Sequence, residues 1–124
     1  RRQSVGLSRQ PWIQIVATKS RSRTRHPRYR VPSSVEILGI EFAIVEKKLE
    51  SGEMGITEGE ERRISIDTGA HSSQEQADHT ILHECLHAIL HVSGQSYILK
   101  KSQEEGIVVA LEHGLSSITK LSIS

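Results

Sequence analysis

Residues 72–94 read SSQEQADHTILHECLHAILHVSG, and this stretch decides the fold. Ser72 and Ser73 are both good N-cap residues, and the pairs Ser72/Glu75 and Ser73/Gln76 have the spacing of a capping box, so a helix is expected from about residue 73. Ile81, Leu82, Cys85, Leu86, Ala88, Ile89, Leu90 and Val92 cover most of its circumference, the pattern of a buried central helix, and Gly94 supplies the stop. Within it stands His83-Glu84-Cys85-Leu86-His87, an H-E-x-x-H motif. Four helical residues turn by about 40° and rise by about 6 Å, so both imidazoles leave one face and suit a single tetrahedral Zn²⁺ at about 2.0–2.1 Å. Glu84, one residue on, can address a water at the metal without ligating it, which is the place of a general base. Residue frequencies alone would put the pattern somewhere in such a chain with a probability of roughly 4%. Its position midway along a capped, apolar helix, where unpaired ionisable groups are costly, makes the match more specific.

A catalytic zinc needs a third protein ligand and one open position. Downstream lie Glu104, Glu105, Glu112 and His113. A second helix is expected from Ser102 through Ile107-Val108-Val109-Ala110-Leu111 to about Gly114, after a reversal over residues 93–101. Glu105, 18 residues after His87, falls in its first turn and is the preferred ligand, with Glu104 next. Glu105 also has a competing role, because Ser102 and Glu105 form a second capping-box pair. His79 and His91 extend the imidazole stripe one turn each way, too far to share the same zinc, and read as rim or hydrogen-bonding residues. His26 and His71 fall in expected loops. Cys85 lies about 200° around the helix from His83 and reads as a small core residue.

Upstream, Val35-Glu36-Ile37-Leu38 and Ile40–Val45 flank Gly39 as a strand or hairpin pair. Met54-Gly55-Ile56-Thr57 precedes the turn Glu58–Glu61, and Arg62–Asp67 alternates as a half-buried strand. Strands first and helices second argue an α+β layer fold, with a small, mostly antiparallel sheet of about three strands on the central helix.

The whole chain has 124 residues, enough for one core. A hydrophobic content of 35% describes a modest aliphatic core. A lone cysteine excludes an intrachain disulfide framework and favours a reducing compartment. No apolar run approaches the roughly 18–20 residues of a membrane span, and no secretory signal is visible, so the expected location is cytoplasmic with no membrane partner. The chain begins with Arg1 rather than Met, which leaves a fragment or a processed product open. The 16 bases and 15 acids are unevenly placed: residues 1–34 hold nine bases and no acid, leaving seven bases against 15 acids in residues 35–124, a head of +9 on a body of −8. The head reads as a flexible basic segment 1–34 before a domain 35–124, either a solvated tail or a weak nucleic-acid contact, with Trp12–Val16 as one short strand candidate; a transit-peptide reading of its Arg/Ser richness lacks an apolar stripe.

HTILHECLHAILHVSG, preceded by RRISIDTG and followed by EEGIVVALEHGL, resembles the small zinc metallopeptidase-like proteins of phages and prophages, related to the ImmA/IrrE peptidases among the gluzincin-type zincins. The resemblance spans residues 35 to about 116. It implies a minimal zincin-like domain in a bacterial or phage-infected cell, with one Zn²⁺ per chain held by His83, His87 and Glu105, and with Glu84 as general base. In that family the third ligand opens a helix of the form E-A-N-x-F-A, onto which Glu105–Ala110 can be laid; Gly106 and Ile107 depart from it. The implied reaction is peptide-bond hydrolysis, in which zinc brings the pKa of a water toward about 7 and polarises the scissile carbonyl while Glu84 carries the proton to the leaving amine. A peptide or protein substrate is expected to pair with the strand Arg62–Asp67 by β-addition, and Tyr97 and His113 are candidates to stabilise the transition state. The alternative function is a non-catalytic zinc-stapled module whose basic head binds nucleic acid.

Overall fold

Two residues that L-amino acids rarely allow, Leu38 at φ 50° and Gly39 at φ 83°, make the two-residue turn that joins the first hairpin. A turn with both central φ values positive matches the right-handed twist of the strands it connects, and it fixes the register Ile37↔Ile40. In the computed structural model, which describes residues 19–22 and 29–123, this hairpin (β2, Pro32–Ile37; β3, Ile40–Glu46) forms the middle of a five-stranded mixed sheet. β1 (Lys19–Ser22) pairs antiparallel with β2. β4 (Gly55–Glu58) and β5 (Arg63–Ile66) make a second hairpin, and β5 inserts parallel to β3, giving the order β1-β2-β3-β5-β4. The α+β class and the mainly antiparallel pairing agree with expectation. The strand count of about three was too low by two: β4 shows no alternation to read, all four of its residues being half-buried, and β1 is a polar Lys-Ser-Arg-Ser stretch within the segment expected to be flexible.

One face of the sheet carries Val35, Ile37, Phe42, Ile44, Ile64 and Ile66, and across it lies α1 (Gln74–Val92) with Ala77, Ile81, Leu82, Cys85, Leu86 and Ala88. These side chains form one buried cluster, so the apolar circumference of α1 packs as its sequence requires. Ser73 is the N-cap and its hydroxyl accepts from the Gln76 backbone N–H at 3.0 Å. The reciprocal half of the box goes elsewhere: the Gln76 amide oxygen accepts from the Ser72 N–H at 2.7 Å. Gly94 at φ 86° ends the helix by taking the left-handed conformation. After the short turn Gln95–Tyr97, α2 runs Lys101–Ile123. Two expectations about α2 fail. Gly114 does not end it, and the helix begins one residue before Ser102, with the Gln103 side chain capping the Lys100 N–H at 2.9 Å. No hydrogen bond among the described residues joins Ser102 to Glu105.

The boundary drawn at residue 34 from the charge shift lies inside the folded core. β2 begins at Pro32, and Tyr29 and Val31 are buried. The Tyr29 hydroxyl donates to the His71 carbonyl at 2.8 Å, and the Arg30 backbone bonds the Gln74 amide in both directions, at 2.9 and 3.0 Å. His71 is no idle loop residue: its Nδ1 meets the Asp67 carbonyl at 2.7 Å and its Nε2 the Thr80 hydroxyl at 2.8 Å, pinning the entry to α1. The strand candidate Trp12–Val16 lies outside the described residues. No helix of the described chain is long and apolar enough to cross a membrane.

Candidate metal centre

His83 and His87 project from the face of α1 that is turned away from the sheet core, their ring centroids 5.1 Å apart and their planes at 61°. α2 approaches this face and supplies three carboxylates. Glu105 sits between the rings: one oxygen lies 3.3 Å from His83 Nε2 and the other 3.1 Å from His87 Nε2. His83, His87 and Glu105 are the metal-capable group among the described residues, with ligand atoms all within 4.8 Å of one another. Ligands at about 2.0–2.1 Å in tetrahedral array stand about 3.3–3.4 Å apart, so the two nitrogen–oxygen separations already suit one ion.

The far side of each ring is also occupied. His83 Nδ1 is 2.9 Å from a Glu112 oxygen, and His87 Nδ1 is 2.6 Å from a Glu104 oxygen. Carboxylates only accept, so each Nδ1 carries the proton. Each Nε2 then turns either a lone pair or a second proton toward Glu105. With a second proton the contact is an imidazolium–carboxylate ion pair; with a lone pair it is repulsive unless a cation lies between, and one divalent cation would then meet both rings. Two imidazole nitrogens and a carboxylate with ligand atoms this close are a donor set that fits a zinc-like ion.

Glu84 points along the same groove but not into the ligand cluster. It is 7% exposed, and its carboxylate oxygen lies 2.7 Å from the Thr57 hydroxyl on β4, a donor that the Glu84 carbonyl, at 2.9 Å, competes for. Burial pushes the Glu84 carboxyl above its ordinary range; the Thr57 hydrogen bond and the charges of His83 and His87 pull it back in part. Gly55 leaves the room for it: a Cβ there would stand 2.8 Å from Thr80 Cγ2 and 3.1 Å from a Glu84 oxygen. Neither Thr57 nor Gly55 carries a sequence signal of this role. For Glu104, burial acts upward, but hydrogen bonds with His87 and Ser96 and the charges of His87 and His91 outweigh it, so its carboxyl lies below the usual range.

These groups floor an open groove of about 850 Å³ whose walls are Gly55, Ile56 and Thr57 of β4 on one side and Lys101, Ser102, Glu104 and Glu105 of α2 on the other. β4, not β5, is the sheet edge beside it. The expectation of β-addition to Arg62–Asp67 is thereby corrected: β5 is hydrogen-bonded on both sides, to β3 and β4. The groove continues past His83 to His79 and Glu112, and past His87 to His91, which packs against Gly59 and tilts against Tyr97. His79 reaches the second Glu112 oxygen at 3.4 Å. Tyr97 and His113 do not stand at the centre. The Tyr97 hydroxyl donates to Glu60 at 3.2 Å and the residue is 70% exposed, while His113 is exposed on α2. Cys85 faces the core, as expected, and burial pushes its thiol up to about 12. Compared with protein-family models, curated proteins and solved structures, the chain matches none significantly.

Proposed function

We propose that this chain is a zinc-dependent peptidase of minimal zincin type, akin to the phage and prophage relatives of the ImmA/IrrE peptidases. The observation that carries the reading is the convergence of His83 Nε2, His87 Nε2 and Glu105 on the floor of an open groove, with a buried Glu84 alongside and with β4, an edge strand of the sheet among the described residues, as its wall. A zinc-stapled module needs the ligands but neither the base nor the groove. His83, His87 and Glu105 would hold the ion, which supplies Lewis acidity toward water and a carbonyl when bound. An extended peptide can add to β4 through backbone hydrogen bonds, which lays its scissile bond across the groove floor. Glu84 accepts a proton from the attacking water and returns it to the leaving amine. Its burial favours the protonated form, and the Thr57 hydroxyl holds the carboxylate toward β4.

The test combines metal and turnover. Purified protein should carry one zinc per chain, lost in His83→Ala and His87→Ala. Glu84→Gln should keep zinc and fold while hydrolysis of a broad peptide library falls by roughly 10²–10⁴-fold. If wild type binds zinc yet is as inert as Glu84→Gln, the zinc-stapled module with a basic nucleic-acid-binding head becomes the better account.

A further inference from the structure

We infer that Glu104 and Glu112 are positioning residues of the metal centre: each fixes the tautomer and tilt of one histidine by accepting its Nδ1–H, so that both Nε2 atoms are presented to a single ion. The inference rests on the metal reading above and extends it to two residues outside the ligand set. Histidine has two nitrogens of nearly equal basicity, and an unconstrained ring divides its proton between them and rotates about its side-chain bonds. Here the choice is made twice by α2. Glu112 meets His83 Nδ1 at 2.9 Å and Glu104 meets His87 Nδ1 at 2.6 Å. Both carboxylates are largely shielded, with side-chain exposures of 16% and 18%, against 54% for Glu105. Shielding weakens the competition of water for those hydrogen bonds, so the two partners that orient are held more firmly than the one that ligates.

The arrangement also assigns the two adjacent glutamates different work. Glu104 and Glu105 are neighbours about 100° apart on α2, and they take opposite nitrogens of the same His87 ring. Glu112 is one step further tied, since its other oxygen is engaged by His79 at 3.4 Å. A carboxylate spanning two rings on successive turns of α1 cannot swing to the metal without giving up both.

The experiment measures zinc affinity by competition with a chromogenic chelator in wild type, Glu104→Leu, Glu112→Leu, Glu104→Gln and Glu112→Gln, each checked for cooperative melting in the metal-free form. Leucine removes the acceptor, and affinity should fall about 10–100-fold, the usual effect of losing such a partner. Glutamine keeps an acceptor oxygen and should recover most of the loss. Glu105→Gln, which removes a ligand, should lose more than any of them. Long-range ¹H–¹⁵N spectra of the zinc-loaded protein should show slowly exchanging Nδ1 protons on His83 and His87, with the His83 signal lost in Glu112→Leu and the His87 signal lost in Glu104→Leu. Folded leucine variants that bind zinc as wild type does, or rings protonated at Nε2, overturn the inference. Zinc binding with the expected losses but no hydrolysis by wild type would overturn the peptidase reading and leave this one standing.

Discussion

The same chemical change, glycine to alanine, should act with opposite sign at two places in this chain. Gly55 opens β4 against α1, and an alanine Cβ there would sit 2.8 Å from Thr80 Cγ2 and 3.0 Å from Glu84 Cγ. Carbon atoms pack comfortably at about 3.5–4.0 Å, so the overlap is roughly 0.7 Å or more, and neither neighbour is the free end of a long side chain. Overpacking of this kind costs about 1–3 kcal/mol. Gly106 lies inside α2 with nothing within 4 Å of an added Cβ. Alanine there should stabilise by about 0.5–1 kcal/mol, because glycine loses more backbone freedom on entering a helix. For a domain of this size each kcal/mol moves the melting midpoint by about 3–5 °C. Gly55→Ala should therefore melt about 3–15 °C lower and Gly106→Ala about 2–5 °C higher, read by circular dichroism on chelator-treated protein. The Gly55→Ala methyl also displaces the Glu84 carboxylate, so it should depress peptide hydrolysis while zinc content stays at one per chain. Unchanged melting in Gly55→Ala would refute the argument that β4 and α1 are in contact through this glycine.

Three further outcomes follow from burial. Cys85, 1% exposed with its thiol pushed up to about 12, should resist iodoacetamide and Ellman's reagent at neutral pH in native protein and react on unfolding. Removing residues 1–34 should abolish cooperative unfolding, since it deletes Tyr29, Val31 and the start of β2, each fully buried apolar side chain contributing about 1.5–3 kcal/mol; retention of a cooperative melt would show that the charge break is a domain boundary after all. Glu84→Gln should raise the melting midpoint of metal-free protein at pH 7. Its folded-state pKa is raised above the unfolded value, so the fold favours the protonated form and loses stability as pH climbs through that range, a loss that an uncharged amide avoids.

How far the sequence could be read depended on how local each signal was. α1 was legible because its evidence is contained within 23 residues: Ser73 caps it, Gly94 stops it, and His83 and His87 share a face whatever packs nearby. The placement of Glu105 beside the two histidines was legible from the length of the return path together with the resemblance of Glu105–Ala110 to the family's ligand helix. β4 was not legible, since its four half-buried residues are sandwiched at an edge beneath α1 and show no periodicity. The capping-box reading of Ser102 and Glu105 failed because Gln103 caps the Lys100 N–H, a pair two residues earlier, and leaves Glu105 facing the histidines. The core role of Tyr29 depends on a carbonyl 42 residues away, and the pairing of Glu112 with His83 spans 29. Composition and spacing carry no record of such distances; charge, which they do carry, placed the boundary after β1 and inside β2.

α2 meets the rest of the chain mainly through chemistry rather than through grease. Val108 is its one buried apolar residue among those described, with Leu115 packed only partly, while Glu104, Glu105 and Glu112 all grip histidines of α1. In thermodynamic terms the helix behaves as a tethered ligand of the sheet–α1 body, and on the proposed reading an ion shared by His83, His87 and Glu105 would lengthen its residence. A metal at about a thousand times its dissociation constant adds about 4 kcal/mol to whatever state contains the complete site. If the proposed site is right, the wall of the groove would be only as permanent as the ion in its floor, and peptide holding and metal holding would rise and fall as one quantity.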